Sequence, residues 1–183
     1  MHINITYDSS VSSAPAAFIT GVQSAVAFLE TNYIDPITIN VAVGFGEVGG
    51  QPLGSGALGQ SLTNLIPTTY AQLRNALTGD VTTAADASAV ATLPAGDPTG
   101  GQYYIASAEA KALGLYSGSG IDGYVGFRSA AGTMDYDTSD GVSPGSYDFF
   151  GVFLHEISEV MGRQLLVGDT VGNTPNSYEP EDL

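Results

Sequence analysis

The chain has 183 residues, enough for one domain with its own core, and a hydrophobic content of 43% argues against disorder. It carries 4 basic and 19 acidic residues, and a formal net charge of −15 repels nucleic acid and anionic membranes, so neither is an expected partner. Because the chain has no cysteine, disulfides, cysteine nucleophiles and thiolate metal sites are excluded.

The first 43 residues predict a strand, a helix and a second strand. Apolar and polar residues alternate over residues 2–8, as in a half-buried strand. A helix start at Pro15 is followed by apolar residues at helical spacing, and the helix should end before Asp35 and Pro36, since the residue before proline disfavours helix. Residues 37–43 alternate again. We therefore expect two parallel strands joined by a right-handed helical crossover.

The segment between Gly44 and Gly59 is rich in glycine, which is typical of an irregular surface loop. Beyond it, short helices and strands alternate around a turn that is rich in proline and glycine. No internal repeat or linker divides the chain, so we expect a single domain over residues 1–183. The predicted elements are helices over 69–77 and 82–93, a turn over 94–101, a strand over 103–106, a helix over 108–115 and a strand over 121–127.

An acidic segment with Asp135, Asp137 and Asp140 precedes the most apolar stretch of the chain. Its Asp-x-Asp opening and its Asp-Gly pair resemble a calcium-binding loop. It differs from an EF-hand loop because the third acid is displaced by one position and no glutamate follows at the twelfth. Two interpretations stay open: a solvated acidic turn, and a Ca²⁺ site that fixes the chain before the next helix.

The stretch from Phe149 to Met161 is apolar at nearly every position, which predicts a helix buried on most sides. It nevertheless carries His155, Glu156 and Glu159. At about 100° per residue these side chains fall in one wedge, with His155 and Glu159 one turn apart on the same face. Burial of polar groups is unfavourable unless they are satisfied, and two carboxylates three residues apart repel each other. A bound metal ion would resolve both problems.

This spacing resembles the zincin signature H-E-x-x-H, in which two residues one turn apart bind zinc and the intervening glutamate acts on the bound water. In the longer metzincin pattern H-E-x-x-H-x-x-G-x-x-H, His155, Glu156 and Gly162 match, whereas Glu159 and Leu165 stand where the second and third histidines would be. The chain is most similar to bacterial secreted metalloprotease-like proteins with a His-Glu-Ile-x-(His or Glu)-x-x-Gly-Arg helix, and the similarity covers most of its length.

The resemblance implies an α+β fold with a zincin-like amino-terminal half, in which a mixed twisted sheet, a long crossover helix and a buried active-site helix form one domain that continues beyond residue 183. Zinc would be held by His155, Glu159 and a third ligand from the tail after Gly162. That tail shows little periodicity, so partial disorder is expected there. The candidates for the third ligand are Asp169, Glu179 and Asp182, of which we carry Asp182 forward.

The function implied by the resemblance is zinc-dependent hydrolysis of peptide bonds in a peptide or protein substrate, with Glu156 as the general base. The carboxylate of Glu159 should make the zinc a weaker Lewis acid than a histidine would, which favours slow or specialised hydrolysis. In zincins the region corresponding to the glycine-rich segment is an edge strand that pairs with the substrate backbone. The expected edge strand comprises Leu53, Gly54, Ser55, Gly56, Ala57 and Leu58.

A second interpretation is a catalytically inactive zincin-like module with a binding or structural role, stabilised by calcium. In it, protonation or Arg163 would neutralise Glu156 and Glu159. A calcium-dependent adhesive domain that uses Asp135, Asp137 and Asp140 is a further alternative.

The amino terminus has neither a basic region nor an apolar signal segment, a pattern typical of a cytoplasmic protein. However, an acidic, glycine-rich chain without cysteine also resembles bacterial substrates of type I secretion. That resemblance favours a secreted protein.

Overall fold

The computed structural model describes residues 1–137 and 139–183, which separate into two compact units. Unit 1 comprises Met1–Asn64 and Ser119–Val160, and unit 2 comprises Leu65–Gly118 and Met161–Leu183. Both units combine helices and strands, so the predicted α+β class is confirmed. Within the described ranges, every helix is too short or too polar to cross a membrane.

Five α-helices and twelve strands, several of them only two residues long, occur in the part of the chain that the structure describes. In chain order the strands are β1 (His2–Tyr7), β2 (Thr38–Phe45), β3 (Glu47–Val48), β4 (Gln51–Pro52), β5 (Gly59–Thr63), β6 (Leu65–Thr68), β7 (Gln102–Ala106), β8 (Gly123–Phe127), β9 (Met134–Asp135), β10 (Tyr147–Asp148), β11 (Asp169–Val171) and β12 (Thr174–Tyr178). The helices are α1 (Ala16–Asn32), α2 (Tyr70–Gly79), α3 (Ala84–Thr92), α4 (Ser107–Ala112) and α5 (Phe149–Val160), and short 3₁₀ helices span Ser9–Ser13 and Pro180–Asp182.

Unit 1 is built on a four-stranded sheet in the order β1-β2-β8-β5. Strands β1, β2 and β8 are parallel, whereas β5 lies antiparallel to β8 at the edge of the sheet. The expected pair of parallel strands connected by a helix, β1-α1-β2, is therefore observed. Alternation along the strands produces the core, because the side chains of Ile3, Ile39, Val41, Val43 and Val125 are almost fully buried.

Helix α5 contributes an apolar stripe to the core of unit 1. Phe149, Phe153, Ile157 and Val160 recur at intervals of three and four residues, and all four are fully buried. The ring of Phe127 in β8 lies 5.1 Å from that of Phe149 and 5.4 Å from that of Phe153. The predicted helix is confirmed, but the expectation that it is buried on most sides was wrong, because burial is confined to this stripe and to Glu156, while Gly151 and His155 are exposed. The packing of the stripe fixes the orientation of the remaining side chains.

Unit 2 contains a second four-stranded sheet, in the order β11-β12-β7-β6. Strand β7 pairs with β6 in an antiparallel and with β12 in a parallel arrangement. Its core includes Tyr70, Leu73, Tyr103 and Ile105, with Tyr178 of β12 packed against it. The expectation of disorder in the tail was wrong for these residues, because β11 and β12 gain hydrogen-bonding partners within unit 2 that local periodicity does not reveal.

Two glutamates of unit 2 link its stability to pH. Burial, followed by the charges of Glu179 and Glu181, raises the pKa of Glu109 to about 8. Burial, followed by the charges of Asp182 and Glu181, raises the pKa of Glu179 to about 7. The folded chain therefore binds these protons more tightly than the unfolded chain, in which a glutamate titrates near 4.5.

The stabilisation from these two protons is complete below about pH 4.5 and is lost as the pH rises through about 7 to 8. With a metal chelator present, we expect the free energy of unfolding of the wild type to fall as the pH rises from about 4.5 to about 8. It should fall less in the Glu109→Gln variant, whose side chain does not ionise. Urea denaturation at a series of pH values gives the free energy of unfolding of both proteins. Equal pH dependence of the two would contradict the expectation.

Candidate functional site

The second half of α5 brings two of the predicted zinc ligands together. His155 Nε2 lies 3.2 Å from Glu159 Oε1, one helical turn away, and the two side chains are 58% and 28% exposed. The predicted common face is therefore confirmed. Strand β5 adds further contacts to Glu159, because Ser61 Oγ donates a hydrogen bond of 2.6 Å to Glu159 Oε2 and Thr63 Oγ1 donates one of 3.3 Å to the Glu159 carbonyl.

Glu156 lies between these residues in sequence but is far more buried, with only 7% of its surface exposed. It packs directly against Gly59 at the start of β5. A Cβ atom added to Gly59 would lie 2.6 Å from both Cγ and Oε1 of Glu156, so no larger residue fits without displacing the carboxylate. A cavity of about 420 Å³ is lined by Leu58, Gly59, Gly151, Val152, His155 and Glu156. Its volume lies within the range of about 300–1,000 Å³ that is typical of small-molecule sites.

The separation of His155 Nε2 and Glu159 Oε1 is compatible with zinc. Zinc bonds of about 2.0–2.2 Å in tetrahedral geometry place two ligand atoms about 3.3–3.6 Å apart, slightly more than the observed 3.2 Å. A catalytic zinc site has three protein ligands, however. Within residues 1–137 and 139–183, no three His, Asp or Glu side chains form a group that could hold a metal ion. The geometry therefore supplies two of the three expected ligands.

The carboxylate of Asp182, predicted as the third ligand, is engaged within unit 2. It accepts hydrogen bonds from the backbone N–H groups of Leu166, Val167 and Glu179, at 2.8 to 3.2 Å. Of the other two candidates, Asp169 accepts a hydrogen bond from the N–H of Thr170, and the side chain of Glu179 is buried. Through these bonds the Asp182 carboxylate satisfies backbone N–H groups of the surrounding turn. Its role as a zinc ligand stays a prediction.

The predicted calcium loop is held by its own backbone. Asp135 accepts hydrogen bonds from the N–H groups of Ser143 at 2.7 Å and Asp137 at 3.0 Å, and Asp137 accepts one from Ser139 at 2.9 Å. The bonds from Ser143, followed by that from Asp137, lower the pKa of Asp135. Asp140 is exposed, and Thr138 lies outside the described residues. Such a network is typical of an acidic turn, and calcium binding here stays a prediction.

The segment predicted as a substrate-binding strand, Leu53 to Leu58, forms a turn closed by a hydrogen bond from Ala57 N–H to the Gly54 carbonyl. The edge strand β5 begins one residue later, at Gly59. Sequence reasoning missed Gly59, Ser61 and Thr63, which contact α5. The available signal was the alternation of these small residues after the glycine-rich segment.

Comparison with known protein families, with curated proteins and with solved structures finds no match to this chain.

Proposed function

We propose that the chain is a zincin-like, zinc-dependent peptidase in which His155 and Glu159 bind the metal and Glu156 is the general acid and base. The observation that carries this proposal is that His155 and Glu156 line one open pocket beside the edge strand β5, while Glu159 contacts both His155 and Ser61 of that strand. A nitrogen and a carboxylate oxygen are both preferred zinc ligands. Their separation of 3.2 Å suits a shared metal ion.

The arrangement of unit 1 gives further support. Strand β5 is the last strand of its sheet, so one edge of its backbone is open to pairing with an extended peptide. The neighbouring helix α5 carries His155, Glu156 and Glu159, and Gly59 lets β5 approach Glu156 closely. A peptide bound along β5 would therefore pass the pocket in which His155 and Glu156 lie.

When bound, zinc would polarise the scissile carbonyl and lower the pKa of a water molecule. A carboxylate oxygen of Glu156 would accept a proton from the attacking water and then donate it to the leaving amine nitrogen. The burial of Glu156 against Gly59 restricts its carboxylate to the wall of the pocket, which orients it for both transfers. Ser61 would hold Glu159 in place through its hydrogen bond, as supporting residues do at zinc sites.

The Gly59→Ala variant tests the contact between β5 and Glu156. The added methyl group would lie 2.6 Å from Glu156 Oε1, so the carboxylate must move by about 1 Å, and a displacement of that size lowers hydrolysis by about 100-fold. Gly54→Ala is the matched control, because its Cβ would have only Gln60 Oε1 at 3.7 Å, an ordinary contact. Equal peptidase rates for the two variants would contradict the proposed position of Glu156.

A digest of a complex peptide mixture tests the activity itself. The zinc-loaded protein should generate new peptide termini that mass spectrometry detects, and a zinc chelator should abolish them. Identical peptide profiles with the zinc-loaded and the chelated protein would rule out the peptidase for the substrates in that mixture. New termini that persist in the chelator would point to a contaminating protease.

The alternative is an inactive zincin-like module with a binding or structural role. One observation favours it: both carboxylate oxygens of Glu159 already have partners, His155 and Ser61, so the pair is satisfied without a metal. In this case zinc would not alter the melting temperature. The zinc dependence of thermal unfolding therefore separates the two functions before any substrate is known.

A further inference from the structure

The sheet of unit 1 contains a notch that is formed by two glycines on neighbouring strands. Gly44 of β2 pairs with Gly126 of β8. Helix α5 contacts Gly59 of β5, and Gly126 pairs with the next residue, Gln60, so alternation places the two glycines on the opposite face of the sheet. A Cβ atom added to Gly44 would collide with Glu47 Oε1, and one added to Gly126 would collide with the Glu47 carbonyl oxygen. The paired glycines therefore make room for Glu47.

The notch brings the carboxyl groups of Asp8 and Glu47 together. Asp8 follows β1 directly, and its N–H donates a hydrogen bond of 3.1 Å to the Val43 carbonyl, which places it beside Gly44. The same Cβ position on Gly44 that would collide with Glu47 Oε1 lies 2.9 Å from Asp8 Oδ2. Oxygens of two carboxyl groups thus flank one point, and two ionised carboxylates in this arrangement repel each other.

Only one of these two facing oxygens can gain a partner without help from the other. Asp8 Oδ1 accepts hydrogen bonds from the N–H and the hydroxyl group of Ser10, and Glu47 Oε2 accepts one from the N–H of Gly50. Glu47 Oε1, by contrast, is buried, and no donor among the described residues reaches it. A proton on Glu47 Oε1, donated to Asp8 Oδ2, would satisfy both oxygens and remove the repulsion.

The ionisation of the two groups agrees with one shared proton. The hydrogen bond with Asp8, followed by burial, raises the pKa of Glu47. Burial acts to raise the pKa of Asp8, but hydrogen bonds with Glu47, Ser10 and Val11 lower it overall. Between these two pKa values the pair therefore carries a proton on Glu47 and a negative charge on Asp8.

The elements packed around the pair add few other ionisable groups. Strands β2, β4 and β5 and the 3₁₀ helix Ser9–Ser13 contain none. The others on neighbouring elements at this end of the sheet are Tyr7, Tyr124 and Arg128. The two phenol groups carry no charge at or below pH 8, and Arg128 Nε donates a hydrogen bond of 2.8 Å to the Ala57 carbonyl. Asp8 and Glu47 therefore control each other's charge.

Glu47 begins the β3–β4 hairpin, which lies over the outer face of the two neighbouring strands. A Cβ atom added to Gly49, at the turn of the hairpin, would lie 3.1 Å from the side chain of Leu62 in β5 and 3.5 Å from that of Tyr124 in β8. Val48 is 1% exposed and anchors the hairpin through apolar packing. Glu47 is the polar anchor beside it, so the charge of its carboxyl group bears directly on how firmly the hairpin is held.

We propose that Asp8 and Glu47 form an acid-stabilised latch, in which one shared proton holds the β3–β4 hairpin closed against the sheet. Loss of the proton leaves two negative charges at the notch, so the hairpin opens more often and uncovers the outer face of β5 and β8. The stabilisation from the proton is complete below about pH 4.5 and is lost as the pH rises through the raised pKa of Glu47. The latch requires neither zinc nor peptidase activity.

Hydrogen exchange of the hairpin amides, corrected for the intrinsic exchange rate, tests the latch. As the pH rises from about 4.5 to about 8, the protection of residues 47–52 in the wild type should fall at least about 10-fold, as loss of a hydrogen bond to a charged group implies. The Glu47→Gln variant, whose side chain does not ionise, should show no such fall. Constant protection in the wild type, or an equal fall in the variant, would overturn the proposal.

Glu109→Gln is the matched control, because it makes the same chemical change at a glutamate of unit 2 whose pKa is also raised by burial. Its hairpin should lose protection as the wild type does, and a constant protection here would overturn the latch, since the exchange would then report unfolding that unit 2 controls. If Glu47→Gln does not fold, Asp8→Asn takes its place. Asparagine removes the opposing charge, so the fall should again be absent, and a fall of wild-type size would overturn the proposal.

Discussion

Replacement of Glu156 by glutamine should lower the rate of peptide hydrolysis by about 100- to 10,000-fold and leave the affinity for zinc unchanged. Glutamine keeps the size of the side chain and the contact with Gly59, but it cannot accept the proton of the attacking water. Since the metal would be bound by His155 and Glu159, the loss should appear in kcat rather than in metal content. Peptide cleavage assays and zinc analysis on the same preparations measure both quantities.

Glu30→Gln is the matched control for this experiment, because it makes the same chemical change in α1, where Glu30 bonds to His2 and to the backbone of Ile3. Its hydrolysis rate should equal that of the wild type. If Glu156→Gln keeps full activity, Glu156 is not the general base. If it loses zinc as well as activity, Glu156 supports the metal site instead of transferring the proton.

The Phe149→Ala variant should lose about 3–5 kcal/mol of the free energy of unfolding. Phe149 is fully buried at the start of α5, and its ring packs against those of Phe18, Phe127 and Tyr136 at centroid distances of 4.9 to 5.2 Å. A Cβ added to Gly21 of α1 would lie 2.7 Å from the ring, which shows how tightly the site is packed. Truncation would leave a cavity that these rigid neighbours cannot fill.

Phe150→Ala is the control for this loss, because the ring of Phe150, the next residue of α5, is only partly buried. Its ring contacts that of Phe28, which is 47% exposed, at a centroid distance of 5.5 Å. It should cost about 1 kcal/mol, as a partly exposed side chain does when it loses only part of its buried area. Urea denaturation gives both values. A smaller loss for Phe149→Ala than for Phe150→Ala would contradict the assignment of the buried face of α5.

The parts of this structure that the sequence predicts well are governed by local periodicity. The apolar run that begins at Phe149 predicts helix α5, although not that only one stripe of it is buried, and helical geometry alone places His155 beside Glu159. Alternation likewise predicts β1 and β2, and the intervening helix makes their parallel pairing the natural arrangement. In these elements each residue depends mainly on neighbours within one or two turns.

The parts that the sequence did not predict depend on distant partners. Ser61 and Glu159 are 98 residues apart, so their hydrogen bond follows from the register of β5 against β8 and not from any local pattern. Glycine density predicts an irregular surface loop but not where the turn ends and β5 begins. The strands of the tail were not predicted for the same reason: β12 depends on its pairing with β7, which is distant in the sequence.

Zinc binding to the wild type and to His155→Ala is the most direct test of the proposed metal centre. Competition with a chromophoric chelator, followed by metal analysis, measures the affinity and the stoichiometry. We expect one zinc ion per wild-type chain and an affinity at least about 100-fold lower in His155→Ala, since loss of a direct ligand should exceed the effect of losing a supporting residue. A wild-type chain that binds no zinc, or a variant that binds it equally well, would contradict the account.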